Sequence, residues 1–172
     1  MQQIVSYFWQ ICLLRAGPER IPRNHFVLSS ILAVYFTLSL LTMLITEQTT
    51  LPLMIGTFLI GISVEASILY GLLMFKQVPH RFIPTLAALL GTTSVILLIM
   101  LPANMIFENV DTPTMRVIAG ALFLFTFVWR LAISGSILSK AAHISLLQGA
   151  AIMLGMELIA LSIDRSLLPS PG

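Results

Sequence analysis

Five stretches of about 20 or more predominantly apolar residues follow one another along this chain, each long enough to carry a helix across a hydrocarbon core of about 30 Å. They run approximately Phe26–Ile45, Leu51–Phe75, Phe82–Leu101, Val117–Ser139 and Ala141–Ile163. The first and third hold no charged residue, and the others hold one each: Glu65, Arg130 and Glu157. In lipid no water is at hand for backbone N–H and C=O groups, so such segments satisfy them internally, as helices. The expected fold class is all-α, an integral membrane bundle of about five transmembrane helices.

Composition points to the same solvent. Of 172 residues, 58% are hydrophobic and 9% charged, against about a quarter charged in soluble domains. Length allows one domain: residues 1–24 form an amino-terminal helix and basic linker, 25–164 the transmembrane domain, and 165–172 a short tail. The net charge of +2 does not imply nucleic acid as a partner, because Lys and Arg never cluster as tracking a phosphate backbone requires.

The basic residues instead read as a topology signal. Arg15, Arg20, Arg23, Lys76, Arg81 and Lys140 fall on one side of the threading, and only Arg116 and Arg165 on the other. Positive loops are retained in the cytoplasm, so the amino terminus is expected inside and the carboxyl terminus outside. Glu47, Glu108, Asp111 and Asp164 fall on the outer side. Met1 to Leu14 lacks a positively charged start and a small-residue cleavage site, so no cleavable signal is expected there.

Ahead of the first span, Gln2, Ser6 and Gln10 share one helical stripe among Ile4, Phe8, Trp9, Ile11 and Leu13. This suits an amphipathic helix lying in the interface, with Tyr7 and Trp9 at headgroup depth; packing against the bundle as an extra helix is the equal alternative. Gly17 and Pro18 end it. The single cysteine, Cys12, excludes an intramolecular disulfide and is expected to be a buried thiol.

Charges inside a membrane cost about 2.5–3.5 kcal/mol each on insertion scales, so the three intramembrane ones demand a role. At about 1.5 Å per residue, Glu65 lies about 15 Å and Arg130 about 13 Å from the cytoplasmic ends of their spans, a depth at which they can pair. Glu157, about 24 Å from its own end by the same rise, is expected to form a second, separate polar site nearer the outside. Thr126, Arg130 and Ser134 step by four along one stripe, and Thr92, Thr93 and Ser94 lie at similar depth beside Gly91. Two readings follow: a hydrated pocket facing spans two, three and four, or hydroxyls bonded back to their own helices.

Small residues four apart mark candidate helix contacts: Ser63, Ser67 and Gly71 on the second span, Ala151 and Gly155 on the fifth. Glu65 lies about 200° from Ser67 around the helix, so the second span is expected to contact neighbours on two faces, as a central helix would. His25, His80 and His143 all map to the cytoplasmic boundary without metal-ligand spacing. No Walker loop, dinucleotide fingerprint or paired-His zinc helix is present, and no intramembrane His offers itself to haem. No cofactor, metal or enzymatic activity is expected.

The segment LRAGPERIP (Leu14–Pro22) and the stretch EASILYGLLMFKQVPHRFIPTLAALLGT (Glu65–Thr92), set in a five-span chain, resemble small uncharacterised inner-membrane proteins of bacteria, some grouped with the Yip domain family. The resemblance implies a five-helix membrane domain with a cytoplasmic amino terminus and a role in membrane organisation; it transfers no functional residues. The chain lacks the long cytoplasmic amino-terminal region of eukaryotic members, which places a small-GTPase partner in doubt. Two functions are expected: a non-enzymatic scaffold or accessory subunit that binds lipids, another membrane protein or itself; or a small-solute or ion transporter using the level of Glu65 and Arg130.

Overall fold

A computed structural model describes residues 9–12, 14, 25–46, 51–109 and 112–167. The chain is an all-α bundle, with no strand among the described residues. Its long helices are α1 (His25–Thr46), α2 (Leu51–Phe75), α3 (Phe82–Asn109), α4 (Pro113–Ala142) and α5 (Leu146–Leu167), and a 3-10 turn, Pro79–Arg81, leads into α3. Four of them, α1 to α4, are long and apolar enough to cross a membrane; the apolar part of α5, Leu146–Ala160, is shorter.

The helix ends show why four boundaries differ from those read along the sequence. Helix α3 runs through Pro102 to Asn109 instead of stopping at Leu101, since a proline removes one intrahelical N–H and strains a helix without necessarily ending it. Helix α4 starts at Pro113, not Val117: Thr112 is extended and its hydroxyl accepts from the Met115 N–H at 3.4 Å, with Pro113 at the first helical position. The same helix continues past Ser139 to Ala142, where His143 takes a left-handed conformation (φ 53°) and the Ser139 hydroxyl donates to the Ile144 carbonyl at 2.7 Å. Helix α5 begins only at Leu146, behind a reciprocal cap: the Ser145 side chain accepts from the Gln148 N–H at 3.2 Å, and the Gln148 side chain accepts from the Ser145 N–H at 3.1 Å. Helix α2 closes with Gln77 in the left-handed region (φ 59°), while Val78 N–H donates to Leu73 O and Gln77 N–H to Met74 O, a Schellman arrangement.

The central helix is α3, not α2. Thr85 and Leu86 to Leu90 are buried on it, and it packs against α1 and α4, the pairing of α1 with α3 being the most extensive in the bundle. Helix α2 touches α1, α3, α4 and α5 only sparingly. The second intimate pair is α4 with α5, which meet backbone to backbone. A Cβ on Gly135 would stand 2.8 Å from the Ala150 nitrogen, and one on Gly149 would collide with the Gly135 carbonyl. The small-residue contacts expected elsewhere do not form: a Cβ on Gly71 or Gly155 would meet nothing within 4 Å, and Ser63, Ser67 and Ala151 are exposed.

Of the amino-terminal segment, the turn at residues 9–12 is described. Ile11 and Cys12 are fully buried in the core, and Trp129 on α4 donates its indole N–H to the Cys12 carbonyl at 3.1 Å. That part packs against the bundle, while Trp9 stays half exposed. The polar stripe through Gln2 and Ser6 lies outside the described residues, as do Arg15, Arg20, Arg23 and Glu47.

Candidate functional site

The corrected ends of α4 and α5 move Glu157. Counted from Leu146 it lies about 17 Å up α5, with Arg130 about 18 Å from Ala142 and Glu65 about 15 Å from Phe75, at about 1.5 Å per residue. All three occupy one level, so Glu157 is not a separate outer site. Arg130 Nη2 forms an ion pair with Glu157 Oε1. The two side chains remain 32% and 27% exposed, which places the pair at the wall of a cavity, not within solid packing. Glu65 lies in the electrostatic field of both, yet among the described residues its carboxylate has no hydrogen bond or ion pair of its own.

These groups line a cleft of about 190 Å³. Helix α1 contributes Tyr35, Ser39 and Met43, and α2 contributes Thr57, Phe58, Gly61, Ile62, Val64 and Glu65. Arg130 comes from α4, and Met153, Met156, Glu157 and Ala160 from α5. The cleft exists because α1 and α4 hold firmly to the rest of the bundle while α2 leans on them through few contacts. Two aromatic contacts bridge α1 to α2: Phe58 lies 5.5 Å from Tyr35 and 4.8 Å from Phe36, ring centre to ring centre. Ser39, one turn on from Tyr35, lines the same wall. The guanidinium is incompletely satisfied, since Arg130 Nε is buried with no hydrogen-bond partner. A buried donor without a partner costs about 1–3 kcal/mol, so this cleft is not optimised for stability alone.

The hydroxyls singled out on the third and fourth spans do not line the cleft. Thr92 donates to the Ala88 carbonyl at 2.8 Å, Ser94 to Leu90 at 2.8 Å, and Thr126 to Leu122 at 2.8 Å. They bond back to their own helices, the second of the two readings, and Ser134 is buried in the bundle. Thr93 is half-buried outside the cleft. The groups that share the cleft with Glu65 are instead Tyr35 on α1, Arg130 on α4 and Glu157 on α5. Sequence reasoning missed Tyr35, although its depth, about 15 Å from His25 at the helical rise, matches that of the three charges.

At the opposite end of α2, Arg81 donates through Nη1 to the carbonyls of Lys140 (3.2 Å) and Ala141 (3.1 Å) and contacts His143 Nε2 at 3.0 Å. A guanidinium on the last carbonyls of a helix satisfies orphan acceptors and complements the helix dipole. It also shows that the α2–α3 and α4–α5 turns lie together at one end. Among the described residues no group of three His, Cys, Asp or Glu side chains is placed to hold a metal ion.

No family model, curated protein or solved structure matches the chain. Function is therefore read from the site itself.

Proposed function

We propose that this chain is a multi-pass protein of a bacterial inner membrane, amino terminus cytoplasmic and carboxyl terminus outside, that binds a small solute or ion in the cleft between α1, α2, α4 and α5 and passes it across the bilayer. The observation that carries the reading is the unpartnered Glu65 carboxylate in a cavity beside the Arg130–Glu157 pair. Ionisable groups at this depth are costly, and in membrane bundles they characteristically face water-filled cavities on ion and solute paths. The orientation rests on the bias of six basic residues on one side against two on the other. Vesicles reconstituted with the full chain test it: proton and small-ion flux should exceed the empty-vesicle background and fall to it in Glu65→Gln and Arg130→Leu. Flux at background for the unmodified protein, or flux untouched by both substitutions, overturns the proposal.

A second reading is a non-enzymatic accessory subunit or scaffold, Yip-like in its layout. It is supported by the large apolar side chains that point outward, such as Phe123, Phe125 and Val117 on α4, and by the exposed small residues of α2. Such a subunit co-purifies in mild detergent with one defined membrane partner; a functional monomer without a partner speaks against it.

A further inference from the structure

Resting on the cleft reading above, we infer that the site holds one positive charge at a time, either a proton or a small organic cation of the ammonium type, with Glu65 as the group that binds it. Three charged side chains face the cleft: Glu65 from α2, Arg130 from α4 and Glu157 from α5. With both carboxylates ionised, one positive and two negative charges leave the cleft at −1. An uncompensated charge in a low-dielectric interior is costly, and the guanidinium is already committed to Glu157. The missing charge is positive and its place is at Glu65. Tyr35 on α1 is the other titratable group in the wall, a phenol that is neutral at physiological pH; α3 brings no titratable group to it.

The wall decides what kind of cation fits. Two rings and three thioethers, Tyr35, Phe58, Met43, Met153 and Met156, stand in the wall with the Glu65 carboxylate, together with the hydroxyls of Ser39 and Thr57. Aromatic faces and a carboxylate together recognise ammonium groups through cation–π and ionic attraction, and methionines adapt to irregular apolar substituents. A cavity of about 190 Å³ admits a small alkylammonium ion without demanding a single rigid geometry. Proton and cation neutralise the same carboxylate, so binding one releases the other. In chemical balance, the protonated Glu65 gives its proton to solvent as the ammonium ion takes its place as counter-ion.

The probe is tetraethylammonium, titrated calorimetrically into the purified full-length chain in detergent, in buffers of different ionisation enthalpy that report proton release. Binding should weaken about tenfold per pH unit on acidification once Glu65 is protonated, with up to one proton released per cation bound. Glu65→Gln should weaken it by at least about tenfold, with the thermal transition of the fold retained. Affinity that ignores pH, equal binding by Glu65→Gln, or displacement by an equal concentration of sodium overturns the inference. Tetraethylammonium failing to bind while ion flux still depends on Glu65 and Arg130 overturns it too, and leaves the cleft reading standing; loss of that flux dependence overturns both.

Discussion

Arg130 and Glu157 illustrate what a single pair contributes in a cavity wall. Exposed ion pairs contribute about 0–1 kcal/mol, whereas breaking a buried one costs about 3–5 kcal/mol. This pair is about 30% exposed, so either Glu157→Ala or Arg130→Ala should destabilise the fold by an intermediate amount, about 2 kcal/mol. The double substitution should cost clearly less than the sum, giving a coupling of about 1 kcal/mol or more in a mutant cycle read by denaturant-driven unfolding in detergent; an additive cycle would dissolve the pair as an energetic unit. Cys12 gives a second prediction at this scale. Burial raises its thiol from 9.0 to about 11, so the reactive thiolate is scarce at neutral pH and grows about tenfold per pH unit up to that value. Maleimide labelling of the folded chain should therefore be slow at pH 8 and still be climbing at pH 10, where an exposed thiol has levelled off; denaturation should restore ordinary reactivity. That Cys12 would be buried was legible from the sequence, because a lone apolar-flanked cysteine is rarely a ligand. The carbonyl that accepts from Trp129 was not, because nothing local links positions 117 residues apart.

At the scale of elements, the sequence announced the helices and concealed where two of them turn. The apolar run from the fourth helix into the fifth is nearly continuous, so hydropathy alone set the break at Ser139 and Lys140. The deciding signal was present as Ser145-Leu-Leu-Gln148, a capping box. It starts α5 five residues after the hydropathy boundary, which lowers Glu157 by about 7 Å at the helical rise and brings it to Arg130. The helix contacts were misjudged for a related reason: four-residue steps of small residues recur by chance in apolar sequence, whereas the true crossing uses one glycine from each helix. Gly149→Ala should place a methyl group on the Gly135 carbonyl and, since neither backbone can yield without parting the pair, destabilise the fold by about 1–3 kcal/mol. Gly155→Ala, with open space around it, should be neutral or stabilising by up to about 1 kcal/mol through helix propensity. Thermal unfolding of the two variants in the same detergent separates them; equal transitions would refute the crossing.

For the whole molecule, fold class followed from span length and the missing charge, because a continuous run of about 20 apolar residues can satisfy its own backbone in lipid as a helix. The order of neighbours did not follow. Short loops favour packing of consecutive helices, yet α1 rests chiefly on α3, and α2 is held off by the cleft. Alternation along the chain cannot reveal this, since every face of these helices is apolar and the choice lies in side-chain fit. The consequence is an uneven distribution of stability. Helix α3 has half of its most apolar window buried, α2 only 11%, and the polar wall of α2 around Glu65 faces a cavity in place of packed side chains. Local opening follows the density of buried contacts, so backbone amides from Met54 to Ala66 on α2 should exchange with deuterium faster than those from Thr85 to Ile96 on α3, measured in detergent or nanodiscs. A cation held at Glu65 ties α2 to the Arg130–Glu157 pair across the cleft, so saturating tetraethylammonium should slow exchange in α2 and leave α3 nearly unchanged. Slowing spread equally over both helices would mean that α2 is no more loosely seated than the core, and that the cleft is a fixed hollow instead of the moving wall that transport requires.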